Sequence, residues 1–422
     1  MNFKGISFYL SLFCFPISFL AFINILYASY FDYFLSIDTY FITFLVSIIV
    51  SFVIFYYGKN SKKNINFFEQ LILIIASYFI TSLLVAIPFY LSNYQVTFLN
   101  SIFESISGLT GTGFSTFKNI KYLDPTLILW RSSSQWIGGL FFLFFLIIIF
   151  SNKSFNYKMT NLTFSGERNI NSEENIKDNI LRILIIYSAL SILILTLLNY
   201  SGIRLFNSLN MSMTLVSGGG FLPTDSINKI ISTNFQKIIL IFSLILSMLN
   251  FYLLLNLLNK NILIKEHRED LYLIILSAIL CILIYFNNYQ SLDIIISVVS
   301  SLANSGLTLV KSDNNLSLYF LLITIIGGSI ISNTSGIKLT RFYILLKITS
   351  SEIIKLISPN SVIKKTIFNS DKKISDDNIK IRKDILTLSS DIFLSELKIV
   401  LFIILLGLIS LIISEEVIFN KI

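Results

Sequence analysis

Charge is scarce in this chain. Only 13% of its 422 residues are Asp, Glu, Lys or Arg, against 54% apolar, and mean hydropathy is +0.77. A water-soluble domain of this composition would have no polar surface to present, so the chain reads as an integral membrane protein. Histidine is scarcer still. The single one, His267, excludes an HExxH zinc site and makes any histidine-based triad depend on the polar stretch 265–270, which reads as a solvated cytoplasmic turn. The two cysteines, Cys14 and Cys281, lie in apolar spans without a partner at metal or redox spacing and read as packing residues. The first span follows Lys4 but is too long for a signal-peptide core and lacks an A-x-A site, so an uncleaved anchor is expected.

What the chain has is long apolar sequence. Such stretches run over 6–31, 41–57, 71–91, 127–150, 181–200, 238–258, 271–286, 316–337 and 399–413, with Arg131 and Arg182 the only charges inside them. Most approach or exceed the roughly 20 residues that a helix needs to cross the bilayer core; the last is short and relies on Lys398 snorkelling at its start. With the amino terminus in the cytoplasm, segments 58–70, 151–180, 259–270 and 338–398 carry 3, 4, 3 and 12 Lys plus Arg. The opposite face holds only Lys118, Lys121, Arg204, Lys229, Lys237, Lys311 and Lys421. That asymmetry follows the positive-inside rule and accounts for the net charge of +8. Nucleic acid is not expected, because its binding surfaces interleave cations with aromatics, whereas these loops mix Lys with Asn, Ser and Asp.

Glycine, at 17 residues, is sparse too, and it gathers in short polar stretches. ISGLTGTGFSTF (106–117), SMTLVSGGGFLPTD (212–225) and VVSSLANSGLTLVKSD (298–313) each place a Gly before Phe or Leu, at Gly113-Phe114, Gly220-Phe221 and Gly306-Leu307. An apolar span ends before each and another begins after it, so one unit is used three times. The segment leading into the first turn, 96–109, would be about 21 Å long as a helix, too short to cross and return. It reads as half of a re-entrant hairpin, whose non-helical strand is tolerated only where it is buried in protein or lines a watery cavity. Hairpins around one axis give a ring of backbone carbonyls, which replaces the hydration shell of an alkali cation. Glycine admits the positive φ that such a strand needs. Thr110, Thr112, Ser217 and Ser305 are small enough to admit the ion and can add hydroxyl oxygens. The alternative is a set of tight helix-packing turns.

The residues resemble a known family at this point. FESISGLTGTGFSTF with LWRSSSQWIGGLFF (129–142), RLFNSLNMSMTLVSGGGF (204–221) with Met248-Leu249-Asn250-Phe251, VSSLANSGL (299–307) and IIGGSIISNTSGIKLTRFYILLK (325–347) are similar to the pore loops and broken helix of TrkH-type subunits in the Trk/Ktr/HKT superfamily of potassium transporters. The resemblance implies two leading helices, then helix/pore-loop/helix repeats around a pseudo-fourfold ion path, usually in a homodimer. It implies a K⁺ filter at Thr110, Gly111, Thr112, Gly113, Ser217, Gly218, Gly219, Gly220, Ala303, Asn304, Ser305 and Gly306. It also implies an intramembrane gating loop at Gly327, Gly328, Ser332, Asn333, Ser335 and Gly336, with Lys338 just beneath the pore. Ile330 and Ile331 stand where the family has small residues, and Ala303 and Asn304 replace threonines common in its third loop.

The expected architecture is therefore an all-α polytopic membrane protein. Its parts are two leading helices (1–66), repeats at 67–150, 151–258 and 259–350 (the third with a broken second helix), a cytoplasmic loop (351–395) and the first helix of a truncated fourth repeat (396–422). Either a separate chain supplies the remaining pore loop or this is a shortened copy. The expected function is K⁺ uptake across a bacterial inner membrane, with K⁺ as the only metal and no cofactor bound by this chain. A cytoplasmic nucleotide-binding, TrkA-like ring is the expected regulator, docking on the cations of 338–398. The rival reading is a non-conducting relative that assembles with a complete transporter. An enzyme is not expected: Glu104, the nearest candidate acid, reads as a hydrogen-bonding brace for the first loop.

Overall fold

The computed structural model describes residues 1–61, 65–150, 173–251, 253–254, 268–285, 291–309, 314–339, 341–343, 345–346 and 349. His267, the expected cytoplasmic loop 351–395 and the expected helix of 396–422 lie outside the described residues. Among the described residues the regular structure is helical throughout, without a strand.

Two long helices lead, α1 (Phe3–Tyr30) and α2 (Phe34–Gly58). They pack as an antiparallel pair: Gly58, at the end of α2, lies so close to the start of α1 that a β-carbon there would stand 2.4 Å from Phe8 N. A threefold order follows, α3 (Phe67–Leu91), α4 (Phe98–Leu109) and α5 (Pro125–Phe150); α6 (Glu173–Tyr200), α7 (Leu205–Val216) and α8 (Asn234–Met248); α9 (Arg268–Tyr285), α10 (Ser291–Leu302) and α11 (Asn314–Ile326). The middle member of each triplet has 12 residues, about 18 Å of helix, too short to span a bilayer. Among the described residues five helices, α1, α2, α3, α5 and α6, are long and apolar enough to cross.

Local chemistry sets the helix starts. Asn66 and Glu69 form a capping box on α3, Thr233 and Gln236 another on α8, and Pro125 opens α5, where its missing N–H is not needed. Packing then chains the triplets together: α4 lies against α3 and α5, α7 against α5, α6 and α8, and α10 against α8, α9 and α11. Buried side chains concentrate on this inner side, including Trp130, whose indole N–H donates to Val85 O in α3 at 3.1 Å. Outer residues such as Ile49, Phe79 and Ile192 are exposed apolar groups, as lipid-facing positions are.

Two expectations need correction. The apolar run 238–258 is not one helix: α8 stops at Met248 and Leu249 is extended, with ψ 160°. Met248 O accepts from Ser329 N (3.1 Å), Phe251 N donates to Ile331 O (2.9 Å), and Asn250 N donates to Asp270 Oδ1 (2.9 Å). Three backbone groups at the break, Met248 O, Asn250 N and Phe251 N, thus find partners in other elements, which is what makes a break tolerable inside a bilayer. Nor is the end of the turn 265–270 solvated: Asp270 is buried in the first turn of α9, where its carboxylate accepts from Asn250 N.

Candidate functional site: three glycine-bearing loops and an intramembrane loop

The three short helices end alike. After Leu109, Val216 and Leu302 the caps are Thr110, Ser217 and Ala303, and the next residues, Gly111, Gly218 and Asn304, turn left-handed at φ 70°, 68° and 56°. Their N–H groups donate three residues back, to Gly108 O, Leu215 O and Ser301 O. Gly219 N and Ser305 N then reach five residues back, to Thr214 O (2.8 Å) and Ser300 O (3.1 Å); in the first loop the long bond runs from Gly113 N to Ser107 O (3.4 Å). This is the Schellman ending, which selects Gly or Asn at the left-handed position. Asn304, a departure from the threonine expected there, is thus a residue that its backbone conformation accepts.

The loops meet in register. A β-carbon on Gly113 would stand 2.9 Å from Gly220 N and Cα, and one on Gly220 would stand 2.7 Å from Ser305 O. One residue pair deeper, Gly111 faces Ser217 O and Gly218 faces Ala303 O, at 3.7 and 3.6 Å by the same measure. The hydroxyls turn away from this junction: Ser217 Oγ donates to Thr214 O (2.9 Å), Ser305 Oγ pairs with Ser300 Oγ (3.0 Å), and Thr110 Oγ1 donates to Ile106 O (2.7 Å). Thr112 pairs with Thr110 through their hydroxyls at 2.7 Å.

Each loop is held by a different brace. Glu104, fully buried on α4, accepts from Arg131 Nε (2.8 Å), Thr116 N (2.8 Å) and Ser115 Oγ (3.0 Å), while Arg131 also donates to Ser115 Oγ (3.0 Å). The Arg131 guanidinium covers the Phe221 ring at 4.2 Å, so one cation on α5 touches both the first and second loops. Gln135, one helical turn further along α5, accepts from Phe221 N (3.2 Å). In the third loop Leu307 N donates to Ser300 Oγ (2.7 Å); the matching residue of the first, Ser107, donates its hydroxyl to Phe114 O (2.6 Å).

Beyond α11 the chain leaves and re-enters its helical path. Ile337 N and Lys338 N donate to Ile325 O and Ile326 O, both at 2.9 Å, and Gly327 and Gly336 form the neck of the excursion at φ 70° and 90°. A β-carbon on Gly327 would stand 2.2 Å from Ser335 O, so this neck accepts glycine alone. Inside the loop Gly328 N donates to Thr334 Oγ1 (3.0 Å), and Ser332 and Thr334 share a hydroxyl bond (2.8 Å). Ile330 and Ile331 are buried core residues, which is why the small residues expected there are not required. Besides its bonds to the α8 break, the loop donates Ile330 N to Glu269 Oε2 (3.4 Å) and Asn333 Nδ2 to Val216 O (2.9 Å), the latter at the end of the second short helix.

Residues 36–289, more than half of the chain, match the TrkH family model, described as a cation transport protein. The chain belongs to the TrkH family. It is 27% identical over 313 residues to an uncharacterized cation transporter of Methanocaldococcus jannaschii, a match covering 72% of this chain and 64% of that one. It is 25% identical over 348 residues to the Trk system potassium uptake protein TrkH of Escherichia coli K12, covering 76% and 70%. The crystal structure of the potassium transporter TrkH from Vibrio parahaemolyticus superposes with TM-score 0.75 at 20% identity, covering 89% of this chain and 80% of that one. The polytopic all-helical membrane fold is therefore that of the TrkH family, and the family is one of transporters rather than enzymes.

Of the residues expected in TrkH-type loops, Gly113 comes against Gly220, Gly220 against Ser305 O, Gly111 against Ser217 O and Gly218 against Ala303 O, whereas Gly219 faces the Gln135 side chain and a β-carbon on Gly306 would meet nothing within 4 Å; Ser335 and Gly336 lie at the neck of the intramembrane loop with Gly327. Arg131 and Gln135 were not expected as cross-braces. The repeat register held one signal for missed residues: Ser107, Thr214 and Ser300 are all hydroxyl residues six positions before the last glycine of their loops.

Proposed function

We propose that this TrkH-family protein conducts K⁺ inward through backbone carbonyls of the three glycine-bearing loops. The observation that carries the proposal is the in-register meeting of the loops, with Gly113 against Gly220 and Gly220 against Ser305 O. Carbonyls at matched heights offer a dehydrated cation oxygen dipoles without fixed charge. The short helices aim their C-terminal, negative dipole ends at the same junction. Membrane potential drives entry, at about 2.3 kcal/mol per unit charge per 100 mV. In this reading the excursion 327–338 is the gate, since Asn333 sits directly against the second loop. The same reading includes a homodimer in a bacterial plasma membrane, an amino terminus in the cytoplasm, and a nucleotide-binding ring docking on the cations of 338–398. Expression in a bacterium lacking K⁺ uptake tests it. Growth at low K⁺ and Rb⁺ uptake should be restored, and Gly113→Asp should abolish both; rescue that survives Gly113→Asp would remove the filter from the account.

A further inference from the structure

Ser332 and Thr334 wrap a cation that belongs to the chain itself. The Lys338 ammonium donates to Ser332 O (3.3 Å), Ser332 Oγ (3.2 Å), Thr334 Oγ1 (3.0 Å) and Thr334 O. Two residues thus supply two carbonyls and two hydroxyls, all uncharged, around one buried point. The charges that bear on the ammonium come from Glu269, an acid, and Arg341, a base. Lys338 is also one of the few non-glycine residues at positive φ, at 74°, a strained conformation that persists only where the surroundings over-determine it.

The position of this group is as informative as its chemistry. Asn333, between the two wrapping residues, presents its carbonyl oxygen to Gly218, 3.1 Å from where a β-carbon would stand. An ion leaving the second loop would meet Asn333 O first and the oxygens of Ser332 and Thr334 next. Neutral oxygens gathered on a point are the donor set that replaces the hydration shell of an alkali cation, and a lysine ammonium is a compact point charge suited to the same set.

We propose that the oxygens of Ser332 and Thr334 form a monovalent-cation site in the intramembrane loop, and that Lys338 is its tethered occupant, which a permeating alkali cation displaces. The route by which the ion arrives rests on the transport reading above; the site itself does not. Displacement exposes the amine, so the native protein provides the first test. Reductive methylation with formaldehyde and borohydride, quantified at Lys338 by mass spectrometry, should rise several-fold as K⁺ or Rb⁺ replaces choline. Labelling that is absent or equal in all three salts would overturn the proposal. The second test is equilibrium ⁸⁶Rb⁺ binding to purified Lys338→Met, which should gain about one ion per chain over the native protein. Adding Ser332→Ala and Thr334→Val should remove that ion; no gain, or a gain that outlasts both substitutions, counts against the site. If the native protein carries no K⁺ flux yet shows cation-dependent labelling, the transport reading fails and the site stands.

Discussion

The glycine-bearing loops and the intramembrane loop are both non-helical and rich in small residues, but they differ in how far away their backbone partners lie. Each glycine-bearing loop is closed by its own short helix, through bonds reaching three to six residues back. The intramembrane loop closes at its neck and through bonds among Gly328, Ser332 and Thr334, but its body is also laced to distant partners: Met248, Phe251, Glu269 and Val216. A locally closed loop keeps its shape when its surroundings shift. A loop held by remote partners is coupled to them, which suits the fixed part to selection and the excursion to gating.

The largest effect should come from breaking the loop-to-loop register. Gly113→Ala and Gly220→Ala put a β-carbon 2.9 and 2.7 Å from a neighbouring loop's backbone, which no rotamer can relieve. Each should abolish Rb⁺ uptake while leaving protein in the membrane. Gly306→Ala meets nothing within 4 Å and suffers only its φ of 68°, a strain of about 1–2 kcal/mol. It should retain measurable uptake, and equal loss in all three variants would show that register is not what matters.

The buried Glu104–Arg131 pair comes next. Arg131→Met strands a carboxylate with no access to water, and breaking such a pair costs about 3–5 kcal/mol. Thermal unfolding in detergent should show a large drop for Arg131→Met and a smaller one for Arg131→Met with Glu104→Gln. If the double variant were no better than the single, the pair would not be the source of the loss.

These contrasts explain what could be read from the sequence. The glycine positions and the short segment before the first turn follow from local rules, so a chain met without context shows them: about 21 Å of helix is too short to cross and return, and glycine admits positive φ, whereas the caps that close each loop were not read. The bracing role of Glu104 was legible because a lone carboxylate in an apolar setting must find donors. The break at Leu249 was not, since the run 238–258 contains no charge, proline or glycine to stop a helix and the cause lies in Ser329, Ile331 and Asp270. Arg131 over Phe221 and Gln135 at Phe221 N are likewise products of tertiary approach.

The remote anchors of the intramembrane loop give an intermediate effect. Asp270→Ala leaves the buried Asn250 N–H without its carboxylate acceptor, worth about 1–3 kcal/mol, and should loosen the α8 break to which the loop is laced. Basal Rb⁺ flux in proteoliposomes should rise without a change in K⁺ over Na⁺ preference, whereas Asp270→Asn, which keeps an acceptor oxygen, should lie close to the native protein. A change in ion preference would mean that the intramembrane loop and the glycine-bearing loops are not separable in this way.

The smallest effect belongs to the outer loops, where Asp225 accepts from Lys229 Nζ (2.7 Å) and from Lys121 N (3.3 Å) and so ties the first outer loop to the second. The Lys229 bond, and after it the Lys121 N–H, hold the Asp225 carboxyl below its usual range. A carboxyl whose pKa is depressed by folding contributes stability that is complete above its unfolded value and is lost only as pH falls through the lower, folded one. The tie should therefore be complete at neutral pH and be lost only as pH falls through that depressed pKa, and Asp225→Asn should matter only slightly, as exposed pairs do. Hydrogen exchange at residues 118–124 read between pH 7 and pH 5, with intrinsic rates corrected, should be flat in the native protein. Protection that falls away already near pH 5 would place the tie elsewhere and leave the outer loops joined by apolar packing alone.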